Sequence, residues 1–195
     1  PSTGAFFAAA AAMVPGSNII LNRILRNPTR IGFYSALYQM GGGMDCLDQW
    51  KESGEWIGKL NVFHQPLSGI SITKNDVPGL IDELPIIAIL ATQAEGKTKV
   101  HGAEELRVKE CDRIHAICTN LKRMGANIYE LKDGFIIDGP TQLKGTEIET
   151  FHDHRIAMTF TIAGLVADGD VVLDDLECIS ISYPEFYDEL ARLKQ

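Results

Sequence analysis

Three short stretches concentrate the residues able to do chemistry. The densest is RVKECDR (107–113), preceded by Glu104, Glu105 and Leu106. Lys109 and Arg113 are four apart, so on a helix they share one face, with Glu110 at its flank. Cations in a first helical turn oppose the helix dipole. A phosphate or carboxylate held by backbone N–H groups, Lys109 and Arg113 would relieve that conflict. The plainer account is a solvated helix start laced with Glu–Arg pairs. The second stretch is HDHR (152–155), ahead of an apolar run. Asp153 suits a helix N-cap. Arg155 then opens a segment with no further charge until Asp168, so it needs an anionic partner, internal or bound. His152 and His154 lack a third ligand at metal-site spacing, and no metal is expected. The third stretch is GLIDELP (79–85), where Asp82 or Glu83 could simply cap the apolar helix that follows.

The elements that must position these residues repeat along the chain. Segments 3–14, 84–94 and 155–167 are apolar on nearly every face, which marks buried helices. Each is followed by a glycine (Gly16, Gly96, Gly169) suited to capping a helix end, and then by a β-branched run at 18–21, 98–100 and 170–173 that reads as a strand. Amphipathic segments 27–42 and 110–126 share an Arg-Ile opening and a Met-Gly close, and 182–195 holds the corresponding place in a third copy. The three glycines are 80 and 73 residues apart, too far for an ordinary solenoid. The unit is therefore strand, buried helix, strand, outer helix and hairpin. The middle copy shows it best: strand 68–73, helix 80–95, strand 97–101, helix 110–125, and a hairpin about Lys132-Asp133-Gly134. The first copy has no strand before its buried helix and the third has no hairpin after its outer helix, so further sequence is expected, most economically upstream of Pro1. Equivalent helix starts place Asp82 and Arg155 at one end of the domain, where aligned N-termini favour an anion. The Gly41-Gly42-Gly43 run reads as a helix end, since no phosphate-loop pattern follows it.

Composition narrows the functional classes. The 195 residues, 45% hydrophobic and 23% charged, suffice for one domain of good size or two small ones with a packed core, and the repeats favour one α/β (α+β) domain with units at about 1–64, 65–140 and 141–195. A net charge of −8 argues against non-specific binding to nucleic acid or an anionic membrane. The four cysteines form no C-x-x-C pair, which fits a reducing compartment without a zinc site or disulfide framework. The longest apolar run, Gly4 to Val14, is about half of what a membrane helix needs. No targeting segment is recognisable, so a cytoplasmic location is expected.

RVKECDRI, IDELPI, DHRIAM and the opening PSTGAFFAAAAAMVPGS closely resemble the 3-phosphoshikimate 1-carboxyvinyltransferase, or EPSP synthase, family from Pro1 to Gln195. The related UDP-N-acetylglucosamine enolpyruvyl transferases look less similar at these motifs; such an enzyme, or a non-catalytic domain binding an anion or a partner chain, is the alternative. The resemblance implies an inside-out α/β barrel of βαβαββ units with helices buried inside sheets, and identifies this chain with the C-terminal half of a two-domain enzyme. It implies transfer of the enolpyruvyl group of phosphoenolpyruvate to the 5-hydroxyl of shikimate 3-phosphate, with no cofactor or metal and with glyphosate as a competitor. Carried over by motif, Asp82 bonds the 5-hydroxyl as proton acceptor and Lys109 touches both substrates. Glu110 handles the proton at the methylene carbon, and Arg113 and Arg155 clamp the phosphate and carboxylate. His154 stands nearby. Cys111 replaces the family's common Ser or Thr, and Ile181 stands where some members carry a lysine. The missing partner domain would carry most of the shikimate 3-phosphate site, so the chain alone is expected to turn over little.

Overall fold

The computed structural model describes residues 2–193. Helix α1 (Ser2–Met13) leads into β1 (Asn18–Leu25), α2 (Gly32–Gln39) and the hairpin β2 (Gly43–Glu52)–β3 (Glu55–Phe63). The middle segment gives β4 (Ser71–Ile72), α3 (Leu84–Gln93), β5 (Gly96–Val100), α4 (Arg113–Arg123) and the hairpin β6 (Ile128–Leu131)–β7 (Gly134–Gly139). Last come β8 (Glu147–Ile148), α5 (His154–Ala163), β9 (Val172–Leu173) and α6 (Phe186–Leu193).

Three separate sheets result, with strand orders β1-β3-β2, β4-β5-β7-β6 and β8-β9. Their pairing repeats. β4 runs parallel to β5 and β8 parallel to β9, while β1 and β5 each run antiparallel to the second strand of the following hairpin. The amides of Lys99 and His101 donate to the carbonyls of Ile70 and Ile72; those of Val172 and Asp174 donate to Thr146 and Ile148. Gly69 and Gly145 occupy matching places in these parallel pairs. A Cβ there would meet the Lys97 backbone at 2.5 Å or the Asp170 carbonyl oxygen at 2.4 Å, so the strands can approach only with glycine.

The helices expected to be buried are α1, α3 and α5, which pack against one another in the centre. A helix without a polar face must be covered on all sides, and the sheets and outer helices supply that cover. Phe6 and Phe7 of α1 meet Phe186 of α6 edge-on or tilted, at centroid distances of 6.1 and 5.7 Å.

Several boundaries differ from the sequence expectation. Residues 77–79 and 81–83 form two short 3₁₀ turns rather than the first turns of a long helix, and α3 begins only at Leu84 with Pro85 in its first turn. Proline is tolerated there because its missing N–H lacks an intrahelical partner anyway. Helix α5 stops at Ala163, before Gly164. Gly16, Gly96 and Gly169 do take positive φ, at 78°, 88° and 91°, but α3 and α5 are capped at Ala94 and Gly164 instead, and Gly96 is the first residue of β5.

Candidate active site

Chain direction brings the N-termini of α3, α4 and α5 to a common end, and the charged motifs meet there. Arg113, the first residue of α4, has a fully buried side chain. Its Nε donates to Asp153 Oδ2 at 2.8 Å and its Nη2 to Asp153 Oδ1 at 3.3 Å. Nη2 also reaches Glu110 Oε2 at 2.7 Å, and Nη1 reaches Asp82 Oδ1 at 3.4 Å. Arg155, in the first turn of α5, donates to the Asp82 carbonyl at 3.2 Å and lies 3.7 Å from Asp82 Oδ2 and 3.9 Å from Glu83 Oε1. Lys109 Nζ stands 3.8 Å from Asp82 Oδ1 and 3.2 Å from Glu105 Oε1.

Asp82 is thus the hub on which Lys109, Arg113 and Arg155 converge. It does not cap a helix: neither the 3₁₀ turn that contains it nor α3 has a side-chain cap. Lys109 and Arg113 do not share a helical face either. Lys109 follows the 3₁₀ segment Glu104–Val108 in extended conformation, and α4 starts four residues later. The two cations meet through Asp82, not through helical periodicity. Asp153 fills the expected N-cap role, accepting from the amides of Arg155 and Ile156 at 2.8 and 3.3 Å. Its second role, gripping Arg113, is invisible in sequence because the two lie forty residues apart.

The electrostatics follow from burial and pairing. Burial pushes the Asp153 carboxyl up, but the Arg113 hydrogen bonds and charge, with the two backbone amides, bring it net below the usual carboxylate range. Desolvation disfavours the charged form of Arg113, yet Asp153, Glu110 and Asp82 hold it above its ordinary value. The half-buried His154 is pushed down, chiefly by desolvation, so its neutral form is favoured. Cys111, 3.5 Å from Asp153 Oδ2, is pushed up to about 12 by burial and that carboxylate, which makes it an inert thiol. Buried Glu83 faces Arg155 and raises the buried Tyr34 hydroxyl, after burial itself. Sequence reading took Glu83 only as a possible cap.

Within the cluster, the carboxylates of Asp82, Glu83, Glu110 and Asp153 outnumber the cations Lys109, Arg113 and Arg155. A cavity of about 130 Å³ adjoins it, lined by Ser2, Thr3, His154, Arg155, Ser182 and Tyr183 among others. A groove of about 420 Å³ between α2 and β4 includes none of the cluster's charged residues. Among the described residues, no group of three or more His, Cys, Asp or Glu is placed to hold a metal ion, and no helix is long and apolar enough to cross a membrane.

Arg113 and Arg155 in the first turns of α4 and α5, with Lys109 and Asp82 in the segments that precede α4 and α3, form one charged site on successive α/β repeats, and comparison with known proteins places the chain in one family. The sequence profile of EPSP synthase (3-phosphoshikimate 1-carboxyvinyltransferase) matches residues 1–190, and the chain belongs to that family. It is 46% identical to the 3-phosphoshikimate 1-carboxyvinyltransferase of Persephonella marina and 45% identical to that of Aquifex aeolicus, in each case over 99% of this chain and 45% of the relative. An EPSP synthase structure from Acinetobacter baumannii superposes with a TM-score of 0.95 at 38% identity, over 98% of this chain and 45% of that one. The enolpyruvyl transferase NikO from Streptomyces tendae shares the fold, with a TM-score of 0.75 at 17% identity. The chain therefore spans about 45% of the length of the relatives it matches.

Proposed function

We propose that this chain is the C-terminal half of a cytoplasmic EPSP synthase and forms one wall of its active site. The whole protein transfers the enolpyruvyl group from phosphoenolpyruvate to the 5-hydroxyl of shikimate 3-phosphate and releases phosphate. The observation that carries the reading is the convergence of Lys109, Arg113 and Arg155 on the single carboxylate of Asp82. Attack by a weakly acidic hydroxyl needs a base within hydrogen-bond reach, and half-open Asp82 fits that role. Glu110, half exposed beside Arg113, is placed to deliver and recover the proton at the methylene carbon. Arg113 and Arg155 orient the phosphate and carboxylate, Lys109 bridges both substrates, and His154 lines the adjoining cavity.

Two features favour a half-site. The excess of carboxylates over cations cannot by itself hold a substrate carrying up to three negative charges, so further cations must come from a second domain. The sheets give an independent sign. β5 and β9 each carry a parallel strand on one edge, whereas β1 carries none among the described residues. Assaying the full-length protein and the 195-residue chain with both substrates tests this. Product should form with the former and little or none with the latter. A full-length protein that accepts UDP-N-acetylglucosamine in place of shikimate 3-phosphate, or a 195-residue chain with ordinary enzyme rates, would refute the reading.

A further inference from the structure

We infer that Asp153 is the positioning residue of this site: its two oxygens set the Arg113 guanidinium and the Arg155-bearing first turn of α5 in one fixed arrangement. The consequence for phosphoenolpyruvate rests on the function proposed above; the geometric part does not.

The Asp153 side chain is fully buried. Oδ2 accepts from Arg113 Nε and Cys111 Sγ; Oδ1 accepts from the amides of Arg155 and Ile156 and from Arg113 Nη2. One carboxylate thus ties together the starts of α4 and α5, which belong to different repeat units. The grip takes the Nε–Nη2 edge of the guanidinium. Two bonds to a planar fork fix its plane, whereas an ungripped arginine spreads over many rotamers. The other edge, carrying Nη1 and the second hydrogen of Nη2, is covered by Asp82 and Glu110, so an anion reaches it only where those half-open carboxylates give way. Asp153 therefore decides which face of Arg113 an incoming anion meets, and does so without lining the site.

The two roles of Asp153 can be separated. In Asp153→Asn the amide oxygen still caps α5, but the amide NH2 opposes the guanidinium, so the grip on Arg113 is lost while the helix start is kept. In the full-length enzyme, KM for phosphoenolpyruvate should rise about tenfold or more while KM for shikimate 3-phosphate stays within roughly twofold, a split that a general loss of stability would not give. In an Arg113→Lys background, which lacks the fork, adding Asp153→Asn should cost less than about twofold further. Unchanged KM for phosphoenolpyruvate, equal losses for both substrates, or additive effects in the double variant would overturn the inference. A second readout needs neither turnover nor a variant. The Arg113 Nε–H resonance should exchange with solvent far more slowly than those of exposed arginines such as Arg30, and rapid exchange would overturn the positioning role. Absence of turnover in the wild-type protein counts against the proposed function alone.

Discussion

Replacing Asp82 with asparagine should tighten the binding of phosphoenolpyruvate in the absence of the second substrate, even as transfer is lost. The Asp82 carboxylate lies 3.4 Å from Arg113 Nη1, 3.7 Å from Arg155 Nη2 and 3.8 Å from Lys109 Nζ, so it occupies the place where the three cations would meet an anion. A ligand charge held by the same groups sits roughly 5 Å from it, and at an effective dielectric of about 20 the repulsion is about 3 kcal/mol. The Asp82 side chain is 36% exposed. Halving the figure for solvent screening leaves about 1.5 kcal/mol, or about tenfold in Kd. Asparagine keeps the shape and one acceptor oxygen toward the cations while removing the charge. Titration calorimetry on wild type and Asp82→Asn with phosphoenolpyruvate alone, at low and physiological salt, measures the difference. The gain should shrink as salt screens the exposed charge. Turnover with both substrates should fall by about 10²–10⁴ if Asp82 accepts the hydroxyl proton. Equal or weaker binding of phosphoenolpyruvate by the variant would show that Asp82 does not stand in the anion's place.

Two further outcomes follow from the local electrostatics. Exposed Cys46 should be the first thiol alkylated, because Cys111 and Cys118 are pushed up to about 12, chiefly by burial, and Cys178 is raised as well. At pH 8 a thiol at that value is roughly one part in 10⁴ thiolate, so mass spectrometry should find a single fast adduct, on Cys46. Two histidines should titrate on opposite sides of 6.5: His152 above, through its hydrogen bond to Asp175, and His154 below, through burial. Because the folded value of His152 is raised, its link to Asp175 is fully formed below about pH 6.5 and is lost as pH rises through the folded value. In NMR titrations Asp175→Asn should bring His152 back toward 6.5 and leave His154 in place.

The repeat unit is legible in the chain because burial and strand direction leave periodic marks. Apolar-all-round segments at 3–14, 84–94 and 155–167 have no alternative to a covered helix, and β-branched runs after a left-handed glycine have few alternatives to a strand. The clustering of cations and acids ahead of the helices was legible as well, but Lys109 and Arg113 also have local partners in Glu105 and Glu110, so the sequence left a solvated helix start as an equal reading. Element boundaries were less so. The 3₁₀ turns before α3 pack against α1 and α2, and the extended Lys109 follows a segment packed against α4; helical periodicity reports neither.

Partner choice belongs to the tertiary structure. Asp82, Glu83 and Asp153 look alike in sequence, as acids at helix starts. Only the fold makes Asp153 a cap and an arginine clasp, Glu83 a buried neighbour of Arg155, and Asp82 the uncapped hub. Arg113 and Asp153 are forty residues apart, Arg155 and Asp82 seventy-three. Local propensity sets what each short segment becomes. Which side chains meet across such separations is fixed when three helix N-termini are packed to one end, and with it the balance of charge at the site.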